Sequence, residues 1–195
     1  MFLFVIFAGS TFFPAFFFGV PKIKTSITST QAPFIESTTP LLKQAQTSVG
    51  LPVRLKIPSI GVDSIVEHVG LTSDGAMDVP KNPADVAWYN LGSRPGERGS
   101  SVIAGHYDTK KGKPAVFSKL HTLRKGDKIY VEGEDGAITT FVVRESKKYD
   151  RNANASDVFG SNNEGAYLNL VTCEGVWNKA SKSYSKRLVI FADKE

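Results

Sequence analysis

Short runs in which apolar and polar residues alternate recur from residue 51 to the end of the chain. Glycine, proline, asparagine or aspartate bounds each run, as Gly61 does for residues 53–58 and Gly126 does for residues 128–131. Successive side chains of a strand face opposite sides, so this alternation is typical of strands with one buried face. Seven or eight such strands, with turn signals between them and little helix, predict an all-β barrel or sandwich.

Helix is predicted in only a few places. Residues 115–123 carry apolar side chains at the spacing of one or two helical turns, and residues 156–159 resemble a single turn. Residues 62–69 are ambiguous between a strand and a short helix. Residues 174–186 are predicted to form a loop, because Gly175 follows an apolar run.

The composition favours one globular domain with appendages. The chain has 195 residues, of which 41% are hydrophobic and 22% charged, and its net charge is +5, all ordinary for a globular protein. Lysine and arginine form no dense patch interleaved with aromatic residues, so an anionic membrane or wall surface is favoured over nucleic acid. The single cysteine excludes an internal disulfide framework, and the three histidines lack the short spacing of metal ligands. We therefore expect no nucleic-acid partner, no metal and no cofactor.

The first 20 residues hold no charged side chain and eight of the 13 phenylalanines. This length just suffices to cross the hydrocarbon core of a bilayer as a helix, so residues 1–20 predict a membrane anchor or a signal segment. Lys22 and Lys24 follow this stretch and no basic residue precedes it, which runs against the usual charge bias for exporting the following domain. Residues 21–50 contain ten serines or threonines and three prolines, which is typical of a flexible stalk. The folded domain is expected at residues 51–195, at the cell membrane and facing outward.

Three chemically active side chains fall at the ends of predicted strands. Cys173 ends one strand, His106 ends another, and Arg187 begins the last. A thiolate attacks acyl carbons, an imidazole exchanges protons near neutral pH, and a guanidinium holds a carbonyl or an oxyanion. Together they would form a site for nucleophilic acyl transfer, with the Thr172 hydroxyl as a support. The residue types alone leave a second interpretation open, in which the thiol is a buried filler and the other two side chains are solvated.

The order and context of these residues resemble the sortases, which are membrane-anchored cysteine transpeptidases of Gram-positive-type cell surfaces. The sortase signature Thr-Leu-x-Thr-Cys is matched by residues 169–173, with Asn169 in the first position. The family's catalytic histidine follows a strand that ends in Ala/Gly-His, as residues 104–106 do. Its catalytic arginine opens the final strand, as Arg187 does. The resemblance extends over residues 52–193.

This resemblance implies both a fold and a reaction. Sortases form an eight-stranded β-barrel, here with one or two short helices, and cleave a C-terminal sorting signal, commonly Leu-Pro-x-Thr-Gly, between Thr and Gly. By the resemblance, Cys173 would hold the threonine carbonyl as a thioester. His106 would act as acid and base, and Arg187 would hold the substrate and the oxyanion. The implied partners are surface proteins that bear such signals, a peptidoglycan precursor or other amine as acceptor, and the membrane.

Further residues are implied in support or in substrate binding, namely Ala104, Thr172 and Trp177. The predicted loop at residues 174–186, which carries Trp177 and Tyr184, is expected to shape one wall of the substrate groove. Within the family, the spans at residues 69–80 and 88–96 look most like the class F branch.

Two residues depart from the family pattern. Asn169 replaces threonine, which affects the support of the site more than its chemistry. Glu174 places a carboxylate beside the nucleophile and would disfavour the thiolate, so we expect it to point away or to pair with a lysine.

Two other functions stay open. One is an L,D-transpeptidase, although those enzymes place an arginine two residues after the cysteine, where this chain has Gly175. The other is a sortase-like domain that binds wall components or proteins without catalysis. Within the transpeptidase interpretation, water in place of the amine acceptor would give hydrolysis.

Overall fold

Eight β-strands close into a barrel in the computed structural model, which describes residues 49–160 and 164–195. Around the barrel the strand order is β1-β2-β3-β4-β7-β8-β6-β5. The pairs β2–β3 and β4–β7 are parallel, and the other neighbours are antiparallel. The strands are β1 (Pro52–Ile57), β2 (Val62–Val69), β3 (Val86–Tyr89), β4 (Gly99–Gly105), β5 (Lys128–Gly133), β6 (Ile138–Asp150), β7 (Ala166–Asn178) and β8 (Ser183–Lys194). The predicted all-β fold and the eight-stranded barrel implied by the resemblance are both confirmed.

Alternation along the strands fills the barrel with apolar side chains. In β7, Leu168 and Leu170 are fully buried in the main core, together with Phe117 and Phe141. Asn169, between the two leucines, faces the other side of the sheet, because successive side chains of a strand alternate. The barrel interior is therefore a packed core.

A second apolar cluster lies on the outer face of β4 and β8. Val102, Val189 and Phe191 meet Val158 there, which belongs to the single described α-helix, α1 (Ser156–Phe159). The helical turn predicted at residues 156–159 is confirmed. Asn169 Nδ2 donates to the Val158 carbonyl at 2.6 Å, so the asparagine that departs from the family pattern ties α1 to β7.

Other local predictions need correction. The ambiguous residues 62–69 form a strand, β2. The helix predicted at residues 115–123 is reduced to a 3₁₀ turn, Leu120–Thr122, because Phe117 and Leu120 insert into the core from an irregular segment. A second 3₁₀ turn, Pro58–Ile60, links β1 to β2.

The prediction of a loop at residues 174–186 is wrong. β7 continues to Asn178 and β8 begins at Ser183, and the two strands stay paired across this region as a hairpin. Gly175 has a φ of 86° and lies where the register between the strands shifts. A glycine in this left-handed conformation can form a β-bulge, after which the strand continues. The site thus lies within two long strands and not at the start of a loop.

The predicted membrane segment at residues 1–20 and residues 21–48 of the predicted stalk lie outside the described residues. Within the part of the chain that is described, no helix has the length and apolar character needed to cross a membrane.

Candidate active site

The pairing of β4, β7 and β8 brings the three predicted catalytic residues to one region. β4 and β7 run parallel with Ala104 opposite Val171, so His106 and Cys173 each follow two residues later at the same edge. In the antiparallel pair β7–β8, Cys173 lies directly opposite Arg187. The thiol and the guanidinium are therefore cross-strand neighbours.

Thr172 fixes the junction between β4 and β7. Its side chain is buried, and its hydroxyl donates to the Gly105 carbonyl at 2.8 Å. Thr172 immediately precedes Cys173, and Gly105 immediately precedes His106. The support expected of Thr172 is thus a hydrogen bond that holds the two strand ends together.

His106 is oriented by a backbone carbonyl. Its Nε2 lies 2.8 Å from the Pro80 oxygen. A carbonyl only accepts hydrogen bonds, so Nε2 carries the proton and donates it. In the neutral ring the lone pair is then on Nδ1, which is the atom left to accept a proton.

Arg187 is held by its own hairpin. Nη1 donates to the carbonyls of Lys186, at 2.9 Å, and Tyr184, at 3.3 Å, and Nη2 donates to Ser183 Oγ at 3.3 Å. These bonds fix the plane of the guanidinium beside Cys173. A fixed cation costs no reorganisation when negative charge develops next to it.

Burial and two nearby charges set the ionisation of the half-buried Cys173 thiol. Burial raises the pKa of Cys173, the Arg187 charge lowers it, and the Asp108 carboxylate raises it, with burial the largest effect. The net shift is upward, so Cys173 needs a base to ionise it.

Glu174 forms an ion pair with a lysine. Lys148 Nζ donates to Glu174 Oε1 at 2.8 Å, reaching from β6 across the intervening strand β8. The expectation that this carboxylate pairs with a lysine is confirmed.

An apolar groove of about 630 Å³ opens beside the thiol. Cys173, Arg187 and Ala104 line it, as do residues of the second apolar cluster and of α1. Ala104 thus lines the groove beside the thiol, and its contact with substrate stays a prediction. Neither Trp177 nor His106 is among the lining residues; Trp177 is 49% exposed and packs edge-on against Tyr184, with ring centroids 5.2 Å apart.

One residue at the site was missed from the sequence. The Asp108 carboxylate acts on the pKa of Cys173 and accepts a hydrogen bond from the Tyr184 hydroxyl. Its position two residues after His106 is the only sequence signal that could have indicated it. No group of three or more potential metal ligands occurs among the described residues.

Comparison with known proteins agrees with this architecture. The Sortase domain family model matches residues 55–195, a span that contains the three predicted catalytic residues. No curated protein matches the chain.

Several solved structures share the fold. Sortase C-1 from Actinomyces oris is 24% identical over 74% of this chain and 74% of that one, with a TM-score of 0.59. Listeria monocytogenes sortase A is 21% identical over 75% and 88% of the two chains, with a TM-score of 0.55. The Clostridium perfringens Sortase D5 transpeptidase is 22% identical over 75% and 79%, with a TM-score of 0.56. Because the identities are below 25%, these likenesses establish a common fold and no more.

Proposed function

The chain belongs to the sortase family, and from this premise we propose that it is a cysteine transpeptidase that cleaves C-terminal sorting signals of surface proteins. The observation that carries the proposal is the register of β7 and β8, which sets Cys173 against Arg187 at an apolar groove. The strand that leads to His106 ends at the same edge. A nucleophile, a base and a fixed cation are what acyl transfer through a thioester requires.

In the first step, His106 Nδ1 removes the thiol proton as Cys173 Sγ attacks the scissile carbonyl carbon. A base assists this step because burial raises the pKa of the thiol. Arg187 stabilises the oxyanion of the tetrahedral intermediate. The carbon–nitrogen bond then breaks, His106 gives its proton to the leaving amine, and the acyl group stays on sulfur as a thioester.

In the second step, an amine attacks the thioester carbon. His106 takes a proton from this amine, the carbon–sulfur bond breaks, and the proton returns to the Cys173 thiolate. Water in place of the amine would give hydrolysis with the same proton movements. The proposed acceptor is an amine of a peptidoglycan precursor.

The groove is proposed to bind the sorting signal, of the Leu-Pro-x-Thr-Gly type. Its apolar lining suits the leucine and proline side chains, and Ala104 would leave room for the peptide. Trp177 stands outside the groove, so any substrate contact it makes would be with groups outside the groove.

Two further proposals rest on the sequence. Residues 1–20 would anchor the enzyme in the cell membrane, with residues 21–50 as a stalk and the catalytic domain outside. The class F assignment is supported by residues 69–80 and 88–96. The class C neighbours share the fold at identities that do not discriminate between branches.

The test is incubation with a panel of Leu-Pro-x-Thr-Gly-type peptides and an added amine, followed by mass analysis of the products. We expect an amine-ligated product from the wild type and none from Cys173→Ala, while Cys173→Ala still binds the peptide. Cleavage without ligation would indicate a hydrolase. Peptide binding by the wild type without any cleavage would contradict the proposal and favour the binding-module interpretation.

A further inference from the structure

Two segments carry the proposed catalytic groups: the chain that follows β4 holds His106, and the β7–β8 hairpin holds Cys173 and Arg187. The β4–β7 ladder ends at the pair Ala104 and Val171, so the chain leaves the sheet after Gly105. It then forms a short hairpin in which Asp108 bridges to Pro114. The other segment is the β7–β8 hairpin that holds Arg187. The relative position of His106 and Arg187 depends on how these two hairpins are joined.

Tyr184 joins them directly. Its hydroxyl donates to Asp108 Oδ2 at 2.6 Å, although the two residues are 76 positions apart in the sequence. Its ring packs edge-on against Tyr107, the residue between His106 and Asp108, with centroids 5.7 Å apart. On its other side the ring meets Trp177 at 5.2 Å.

The same residue also holds the arginine. The Tyr184 carbonyl accepts a hydrogen bond from Arg187 Nη1, and the preceding residue, Ser183, accepts one from Nη2. Tyr184 therefore contacts the His106 hairpin through its side chain and the guanidinium through its backbone.

We infer that Tyr184 and Asp108 are positioning residues, and that their hydrogen bond, here called the clasp, sets His106 against Cys173 and Arg187. The inference rests on the proposed function. The charge of Asp108 opposes ionisation of the thiol, because it raises the pKa of Cys173. Asp108 therefore disfavours the Cys173 thiolate, and its hydrogen bond with Tyr184 supplies a reason for a carboxylate at this position. The carboxylate in turn raises the pKa of Tyr184 to about 12, because the hydrogen bond holds the proton on the hydroxyl.

The test compares four single variants and one double variant of the full-length chain in the peptide-and-amine assay. Tyr184→Phe keeps the ring and breaks the clasp, and Asp108→Ala breaks it from the other side. Asp108→Asn removes the charge but keeps an oxygen that accepts from Tyr184. Tyr130→Phe removes a tyrosine hydroxyl from β5, which β6 separates from β8, and serves as the matched control.

We expect Tyr184→Phe and Asp108→Ala each to lower kcat about tenfold, with KM changed by less than about twofold, because a hydrogen bond to a charged group is lost without a lost substrate contact. Asp108→Asn and Tyr130→Phe should retain activity within about threefold of wild type. The double variant Tyr184→Phe/Asp108→Ala should be no slower than either single variant, because both remove the same bond.

Three results would overturn the clasp. Tyr184→Phe could retain wild-type kcat, Asp108→Asn could lose as much activity as Asp108→Ala, or the two losses could multiply in the double variant. Thermal unfolding of each variant checks that the barrel is intact, and Asp108→Asn keeps the test decisive if Tyr184→Phe does not fold.

A second readout separates this inference from the proposed function. Iodoacetamide alkylates thiols much faster than other side chains, and Cys173 is the single cysteine of the chain. We expect Tyr184→Phe to slow this alkylation near neutral pH, and Asp108→Asn to leave it equal or faster. If no variant, wild type included, transfers an acyl group, the proposed function fails, whereas unchanged alkylation in Tyr184→Phe would overturn the clasp itself.

Discussion

Replacing Gly105 by alanine would place a methyl group against the core beside the proposed base. The new Cβ would lie 2.5, 2.8 and 2.9 Å from three ring carbons of Phe117. Phe117 is fully buried, and its backbone nitrogen donates to the His106 carbonyl at 2.9 Å. The ring therefore cannot move away without disturbing either the core or the His106 segment.

The cost follows from these distances. Carbon atoms in contact are about 3.5 to 4.0 Å apart, so the ring must retreat by about 1 Å. Overpacking of a buried site typically costs about 1 to 3 kcal/mol, and a fully enclosed ring belongs in the upper half of that range. For a domain of this size, about 2 to 3 kcal/mol corresponds to a drop in Tm of roughly 4 to 12 °C.

Circular dichroism during heating measures the change in Tm, and a second substitution tests its cause. Phe117→Leu destabilises the barrel by removing buried carbons, but it also removes the atoms that clash. The double variant Gly105→Ala/Phe117→Leu should therefore be more stable than the sum of the two single effects by at least about 0.5 kcal/mol. A Tm for Gly105→Ala equal to that of the wild type, or strictly additive effects, would refute the reasoning.

Three further predictions concern the site. Thr172→Val keeps the shape of the side chain but removes its hydrogen bond to β4, so the free energy of unfolding in urea should fall by about 1 to 2 kcal/mol; an unchanged urea midpoint would contradict this. The guanidinium of Arg187 lowers the pKa of Cys173, so in Arg187→Ala the pH profile of alkylation should move to higher pH, and a profile that stays in place would show that this charge does not act on the thiol. Burial and a bond to an aspartate raise the pKa of Tyr149 to about 12, and the bond to Asp108 and burial do the same for Tyr184. In the folded state these two hydroxyls stay protonated at pH values above the ordinary tyrosine pKa of 10.0. The free energy of unfolding should therefore fall as the pH rises from about 10 to about 12. Tyrosinate absorbance should show two tyrosines that titrate later than the others.

The sequence located the barrel because alternation and turn residues are local signals. The alternating runs at residues 53–58 and 128–131 predict strands from their own pattern, and β1 and β5 form there, with β1 ending one residue earlier at Ile57. Cys173 was found because it follows an apolar run within a short motif. The register that sets it opposite Arg187 follows from the barrel itself and appears in no local pattern.

The errors share a cause. A glycine after an apolar run usually marks the end of a strand, but the pairing of β7 with β8 continues past Gly175. The glycine forms a bulge there instead. Asp108 has only its nearness to His106 as a sequence signal, because its partner Tyr184 is 76 residues away. The helix predicted at residues 115–123 gave way to the burial of Phe117, a tertiary demand that local periodicity does not contain.

The most direct test of the account is the intact mass of the protein during reaction with a Leu-Pro-x-Thr-Gly-type peptide, in the absence of an added amine. The account predicts a mass increase equal to the acyl portion of the peptide, carried by the fragment that contains Cys173. Addition of an amine should remove this increase, and Cys173→Ala should never show it. Cleavage of the peptide by Cys173→Ala, or turnover with the acyl group found on another residue, would contradict the assignment of Cys173 as the nucleophile.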